Sequence, residues 1–332
     1  MKSFNAKLII INSIFVIIIY YLLFIISPLI YAQQISLSLS PTLTELAIKP
    51  DHSVVQRYKL TNLGDPSIVK IRVAPFEPKD TLVNININNT LQSPIRFELE
   101  NESLKLEEPF FLKNSASQEL FLNVDIPEGA PTKDYYFAIL AESQPPPTQE
   151  GVANVRAKIS VASHLLITVT KEGRIEIKPK INLFQVVPKN KIRFLGLQIN
   201  LFNSFDKIPV VLIVENKGQN LIKPQGEIVL RGPLWQSKKF EIKPQTVLAE
   251  SQKLLIVESK NDSSNIQYQT SNSLALSGFF LGGYKVSATI SFGQGTPILY
   301  AAASFLVLPI KLTILTTIVV ILVLFFLKKY RE

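Results

Sequence analysis

The sequence predicts an all-β fold: two tandem immunoglobulin-like β-sandwich domains, with an N-terminal signal segment and a C-terminal transmembrane helix. Three observations predict it. Residues 33–306 break into short runs that alternate apolar and polar side chains, while residues 8–26 and 312–327 are dominated by apolar side chains and carry no charge. The third is that the second half of the alternating region repeats landmarks of the first.

Residues 8–26 follow Lys2 and Lys7 and lead to Ala32. A basic start, an apolar centre and a small residue before the cut make an export signal, here residues 1–32. Beyond it, Ile35 to Ser40, Val69 to Val73, Ile95 to Glu100 and Leu120 to Val124 each alternate. A period of two puts one face of a strand in a dry core and the other in water, the pattern of antiparallel sheets packed in pairs. Turn residues such as Asn62-Leu63-Gly64-Asp65-Pro66 and Ile126-Pro127-Glu128-Gly129 punctuate the strands.

The repeat pairs Tyr58–Gly64 with Leu212–Gly218, two strands that end in Asn-x-Gly. A positive φ at each glycine is expected to turn the chain there. It also pairs Tyr135–Leu140 with Tyr284–Ile290. Asn62 and Asn216 lie 154 apart and Tyr136 and Tyr284 lie 148 apart, so both matches fall at nearly one offset. The boundary is placed at Lys171-Glu172-Gly173, giving domain 1 over 33–171 and domain 2 over 172–306. Each half is long enough for a core of its own. The prolines at 145–147 cannot donate to a sheet and mark an exposed loop.

Residues 307–327 are read as the membrane span. Leu312 to Leu327 carries no charge, and its 16 residues would cover about 24 Å as a helix. Lys328, Lys329 and Arg331 in the tail 328–332 place the C-terminus in the cytoplasm by the positive-inside rule. The reading is a single-pass type I protein with its ectodomain outside the cell.

The chain has no cysteine, so disulfides, cysteine metal sites and thiol catalysis are excluded. Its two histidines, His52 and His164, lie 112 apart, which argues against a multi-histidine zinc site. Residues 33–170 carry 12 Lys/Arg against 16 Asp/Glu, whereas residues 171–306 carry 17 against 9. The basic half is next to the predicted span, which suits an anionic lipid surface or wall polymer. Nucleic acid is not an expected partner of an exported chain.

No G-x-S-x-G, H-E-x-x-H or G-x-x-x-x-G-K-[ST] pattern occurs. The paired acids Glu107-Glu108 and Glu98/Glu100 fit a wet strand face better than a glycosidase pair. Asn261 to Asn265 offers oxygen ligands but lacks the glycine and distal glutamate of a calcium loop. The expectation is a non-enzymatic protein with no catalytic, metal or cofactor residues. Recognition candidates remain. Trp235, the sole tryptophan, stands on a Gly-Pro turn and could stack on a sugar or anchor a protein contact. Asn84, Asn86 and Asn88 put three amides on one face of a strand. Tyr135 and Tyr136 point to opposite faces of another, so one belongs to a core and the other could be exposed.

The order of parts resembles the WxL-interacting cell-surface proteins of Gram-positive bacteria. The stretches that carry the resemblance are Leu39-Ser40-Pro41, Tyr58 to Gly64, Phe121 to Pro127 with Gly129, and Tyr135 to Glu142. In the second half they are Glu215 to Gly218, Ile222 to Gly226, Val247 to Ser251, and Gly283 to Gly293. Where that family has Gly-Gly in the strand after the tyrosine, this chain has Phe137-Ala138. The resemblance implies peptidoglycan binding by the first domain and partner binding by the second. The function read from the sequence is thus a membrane-anchored extracellular binding or adhesion protein that contacts cell-wall polymer, such as peptidoglycan, or a surface protein partner. The alternative is a chaperone-like or assembly module that donates a sheet edge to an exported client.

Overall fold

The computed structural model describes residues 36–82, 84–144, 158–173, 175–188, 190–194, 197–233, 236–259, 274–293 and 296–330. The expected signal segment, the 145–147 prolines, Trp235 and the 261–265 loop lie outside them.

In the first half the described strands are β1 (Leu37–Ser40), β2 (Leu43–Ile48), β3 (His52–Asn62), β4 (Ser67–Pro78), β5 (Ile85–Ile87), β6 (Arg96–Leu99), β7 (Pro109–Leu112), β8 (Ser117–Ile126), β9 (Asp134–Gln144) and β10 (Ser160–Val169). One sheet has the order β1-β3-β8-β6. The other runs β2-β10-β9-β4-β5, with β7 also on β4. In the second half they are β11 (Pro179–Val186), β12 (Asn190–Phe194), β13 (Leu197–Asn203), β14 (Ile208–Asn216), β15 (Gln225–Arg231), β16 (Ser237–Ile242), β17 (Ser251–Leu254), β18 (Val257–Ser259), β19 (Leu274–Leu276), β20 (Gly282–Ser291) and β21 (Leu299–Leu308). Their sheets run β11-β14-β17, with β19 on β14, and β12-β13-β21-β20-β15-β16-β18. Among the described residues no sheet mixes strands of the two halves.

The alternating residues meet between the sheets of each half. Tyr58, Leu60, Ile71, Leu122, Phe137 and Ile167 belong to one core. Val210, Leu212, Val214, Ile228, Val286 and Ile290 belong to another. Burial of each such side chain contributes about 1.5–3 kcal/mol. In both halves the opening strand changes sheets. β1 pairs antiparallel with β3, and then β2 pairs parallel with β10. Likewise β11 pairs antiparallel with β14, and β13 pairs parallel with β21.

The Asn-x-Gly repeat also recurs in three dimensions, though by a different device from the one expected. Asn62 and Asn216 are wholly buried. Each carboxamide oxygen accepts the glycine N–H two residues on, at 3.0 Å in both cases. The Asn62 amide donates to the carbonyls of Asp65, Leu112 and Lys113, and the Asn216 amide to those of Asn220 and Leu248. Gly218 does not adopt a positive φ. A Cβ there would collide with the Glu176 carbonyl oxygen and lie 2.7 Å from Ile177 Cα, so close backbone approach is what demands glycine.

Strict alternation fails in β9, where Phe137 to Ser143 are all buried. One face lies on the first core. On the other, Ala74, Phe76, Ala138, Leu140 and Leu166 form an apolar cluster against which Tyr136 packs, together with Leu221 and Leu248 from the second half. A sheet face that would otherwise be wet is covered by the other half of the chain.

After β21 only Pro309 precedes the helix α1 (Ile310–Lys329). The sequence reading opens the span at 307, but Val307 and Leu308 are still paired in β21, with Gly282 and Asn203. The helix has 20 residues, about 30 Å at 1.5 Å each, which matches a bilayer core. From Ile310 to Lys328 its mean hydropathy is 2.7 and its side chains are uncovered by the rest of the protein.

Candidate functional site: an open strand edge beside the inter-half cleft

β10 pairs with β9 along its length, from Ser160 opposite Glu142 to Thr168 opposite Asp134. On its other side β2 pairs only from His164 to Val169. The cause is the sheet switch. The chain before Ser40 belongs to β1, in the other sheet, and reaches β10 only after Pro41. There the His164 N–H donates to Thr42 O at 2.9 Å and the Ser163 hydroxyl donates to Pro41 O at 2.6 Å.

That bond sets the direction of the backbone groups. In an antiparallel pair alternate residues send both N–H and C=O toward one neighbour. Ser143 N donates to Ile159 O at 2.8 Å, so odd-numbered residues face β9 and even-numbered ones face outward, as His164 does. Ser160 and Ala162 therefore present their N–H and C=O on a side where, among the described residues, no strand pairs. Their side chains are exposed, and Val161 between them packs on the first core.

His164, on the same face as Ala162, lines a cleft of about 290 Å³ between the halves. Leu43, Phe76 and Leu166 form one wall, and Thr246, Leu248 and Lys253 the other. Asp80 and Asn84 lie at its rim. The Asn84 amide donates to Asp80 Oδ2 at 2.7 Å and holds that carboxyl below its usual pKa. The Lys253 amine donates to Thr246 O at 2.9 Å. Burial lowers its pKa, and among the described residues no carboxylate lies within ion-pair distance. Leu254 N donates to Thr81 O at 2.8 Å and the Lys223–Glu45 ion pair spans 2.5 Å, so both bridge the halves.

The polar clamp behind the cleft centres on Asp134. Its Oδ1 accepts the Asn220 amide at 2.8 Å, and its Oδ2 accepts Leu221 N at 2.6 Å and the Tyr136 hydroxyl at 3.2 Å. The Tyr136 oxygen in turn accepts Ala249 N at 2.8 Å. Desolvation and the neighbouring Asp134 raise the Tyr136 pKa strongly.

Of the candidates read from sequence, the structure brings Asn84 to the cleft and Tyr136 to the clamp. Tyr135 takes the opposite face, packs on the first core and donates its hydroxyl to Pro131 O at 3.2 Å. Asn84, Asn86 and Asn88 follow the edge strand β5, whose Ile85 and Ile87 turn inward onto the covered face. Asn86 is exposed, and Asn88 N donates to Pro75 O. Trp235 lies outside the described residues. Glu107 and Glu108 each reach a lysine, Lys70 at 2.7 Å and Lys105 at 3.8 Å, and do not form a carboxylate pair around a cleft. Among the described residues no three His, Asp or Glu side chains gather as a metal would need. Sequence reasoning passed over Ser160, Ala162 and Lys253, and weighed His164 only against a zinc site. An unpaired edge depends on where the preceding strand changes sheets, which the local pattern of side chains does not show.

The His164 ring packs edge-on against Phe76 at 5.3 Å between centroids, and burial depresses its pKa. Above the ordinary value of about 6.5 both folded and unfolded chains hold it neutral. As pH falls below that, the unfolded chain takes the proton first, so stability declines toward the lower folded pKa. Asp80 and Lys253 also line the cleft. Urea unfolding at pH 5.5 and 7.5 is expected to show that decline, and His164→Gln to shrink it. An unchanged pH dependence in the variant would remove His164 as its source.

No family model matches the chain, and no curated protein does. Among solved structures, the class 5 fimbriae chaperone CfaA is 11% identical, with 81% of this chain and 99% of that one covered at a TM-score of 0.36. The E. coli chaperone DraB is 14% identical, with 82% and 98% covered and a TM-score of 0.37. The Pseudomonas aeruginosa CupB2 chaperone is 11% identical, with 79% and 97% covered and a TM-score of 0.30. Likenesses of that degree say nothing about what this chain binds.

Proposed function

We propose that the chain is a membrane-tethered, non-enzymatic binding protein of the cell exterior that takes an extended segment of another exported protein onto the open half of β10. In this reading residues 1–32 direct export, residues 33–308 fold outside as two sandwich domains, and α1 is the single span. The basic tail stays in the cytoplasm. The observation that supports it most is the outward pair of backbone positions at Ser160 and Ala162, set directly beside an apolar cleft. Strand addition at such an edge draws affinity from main-chain bonds and specificity from pockets beside them. Two outward residues offer up to four such bonds, each worth about 0.5–1.5 kcal/mol net. The cleft supplies apolar burial, and Lys253 supplies a cation for an anionic group of the partner.

Ala162→Pro is the direct test. Proline removes an outward N–H and no bond to β9, so the sandwich is retained while the edge is blocked. A photo-crosslinker at residue 160 in intact cells is expected to capture an exported protein, and the capture to disappear with Ala162→Pro. Capture that survives the proline sinks the edge reading. Retention of the purified ectodomain by isolated cell wall, indifferent to Ala162→Pro, favours the wall-polymer function instead.

Lys253→Met separates binding from stability. It removes a desolvated charge, so the unfolding midpoint is expected to hold or rise. Loss of a charged hydrogen bond is worth about 1.5–3 kcal/mol, so partner affinity is expected to drop about tenfold or more. Equal affinity in the variant would show that Lys253 faces no anionic group of the partner.

A further inference from the structure

We propose that Phe205, Phe279 and Leu281 form a membrane-contacting foot, seated at the headgroup–acyl boundary of the outer leaflet beside α1. This rests on the reading of α1 as a membrane span.

The geometry leaves this end of the second half little room to stand away from a bilayer. Leu308 is paired in β21, and only Pro309 separates it from Ile310, the first residue of α1. One residue reaches at most about 3.6 Å. β13 runs parallel to β21 and stops at Asn203, opposite Leu308. β20 runs antiparallel and begins at Gly282, opposite Val307. The segments 204–207 and 277–281 therefore project from the sheet at the end where α1 leaves. They are tied together by Phe280 N, which donates to Ser204 O at 3.0 Å. Lys311, in the first turn of α1, lies 3.7 Å from Asp206 Oδ1 and ties the helix to the first segment.

Neighbouring residues of these segments behave oppositely. Phe280 is buried edge-on against Tyr284, with 5.4 Å between ring centroids. Phe205 and Phe279 turn out instead, 66% and 53% exposed, with their rings 5.2 Å apart, and Leu281 is 49% exposed. Scattered exposed apolar residues are ordinary, but two paired aromatics and a leucine at one end of a domain form a patch. Trp, Phe and Leu make up the apolar faces that sink several ångströms into the headgroup region of a bilayer. Lys207, also exposed, supplies a cation for anionic headgroups at that level. With the span, the foot gives the ectodomain further fixed points on the bilayer, which restrain its tilt and the height of the β10 edge.

The chain has no cysteine, so single thiols can be placed at will. Phe205→Cys, Phe279→Cys, Ile318→Cys in mid-helix and Lys113→Cys in the first half are each labelled with an environment-sensitive fluorophore. The full chains are then reconstituted in phosphatidylcholine–phosphatidylglycerol vesicles that carry shallow or deep spin-labelled lipid. Labels at 205 and 279 are expected to shift to the blue and to be quenched by the shallow lipid about threefold more than the label at 113. The label at 318 is expected to answer to the deep lipid. Deep quenching at 318 with water-like emission at 205 and 279 overturns the foot and leaves the span standing. Water-like emission at 318 overturns both. Shielding at 205 and 279 that follows the protein-to-lipid ratio, and not the quencher, means that a second copy covers the patch, and also overturns the foot.

Discussion

Asp134→Ala is expected to lower stability by about 3–5 kcal/mol and to uncouple the two halves of the protein. Asp134 is 7% exposed, and its two side-chain oxygens accept three hydrogen bonds, from the Asn220 amide, Leu221 N and the Tyr136 hydroxyl. Bonds to a charged acceptor are worth about 1.5–3 kcal/mol each, and alanine leaves their donors facing an apolar cluster. Two of the three donors belong to the second half, so the loss falls on the contact between halves more than on either core. Calorimetry is expected to resolve the wild-type transition into two in the variant. Asn220→Ala is expected to be strongly non-additive with it, because the two side chains share one bond. A single transition displaced by less than about 1 kcal/mol would mean that the apolar contacts of Leu221 and Leu248 hold the halves together without the clamp.

This clamp also marks where the sequence stopped being legible. The cores could be read because each strand writes them in its own side chains: Val210, Leu212 and Val214 alternate with half-buried neighbours, and all three are core. β9 was harder. Tyr135 and Tyr136 on opposite faces implied one core residue and one that could be exposed, and the structure places Tyr135 on the core. Tyr136 escapes that alternative because Phe76, Leu221 and Leu248 cover its face, and they arrive from elsewhere in the chain. The open edge at Ser160 and Ala162 was illegible for a related reason. It arises where β1 ends in one sheet and β2 begins in the other, about 120 residues earlier in the chain. Gly218 shows the limit of local rules in a third way. Asn-x-Gly suggested a positive φ, but the glycine is required by the backbone of residues 176–178 lying against it.

Asn62→Ala and Asn216→Ala are expected to cost about 2–4 kcal/mol each, nearly equally and additively. In each, one buried carboxamide closes a turn by accepting a glycine N–H and pins that turn to a second segment by donating to its carbonyls. For Asn62 the second segment is Leu112 and Lys113, at the end of β7; for Asn216 it is Leu248, before β17. Alanine leaves a buried N–H and several carbonyls without partners and opens a small void. Aspartate is expected to be worse than alanine at both sites, because a carboxylate would face carbonyl oxygens where an amide donated, with no room for water. The two sites lie in separate cores, so the double variant should lose the sum of the single losses. Denaturant unfolding of the four chains measures this directly. The Asn216 network also continues through Asn220, whose amide reaches Asp134. A loss at Asn216 well above that at Asn62 would therefore show that the second asparagine supports the clamp as well as its own turn. Losses below about 0.5 kcal/mol at both would deny the buried carboxamides their structural part.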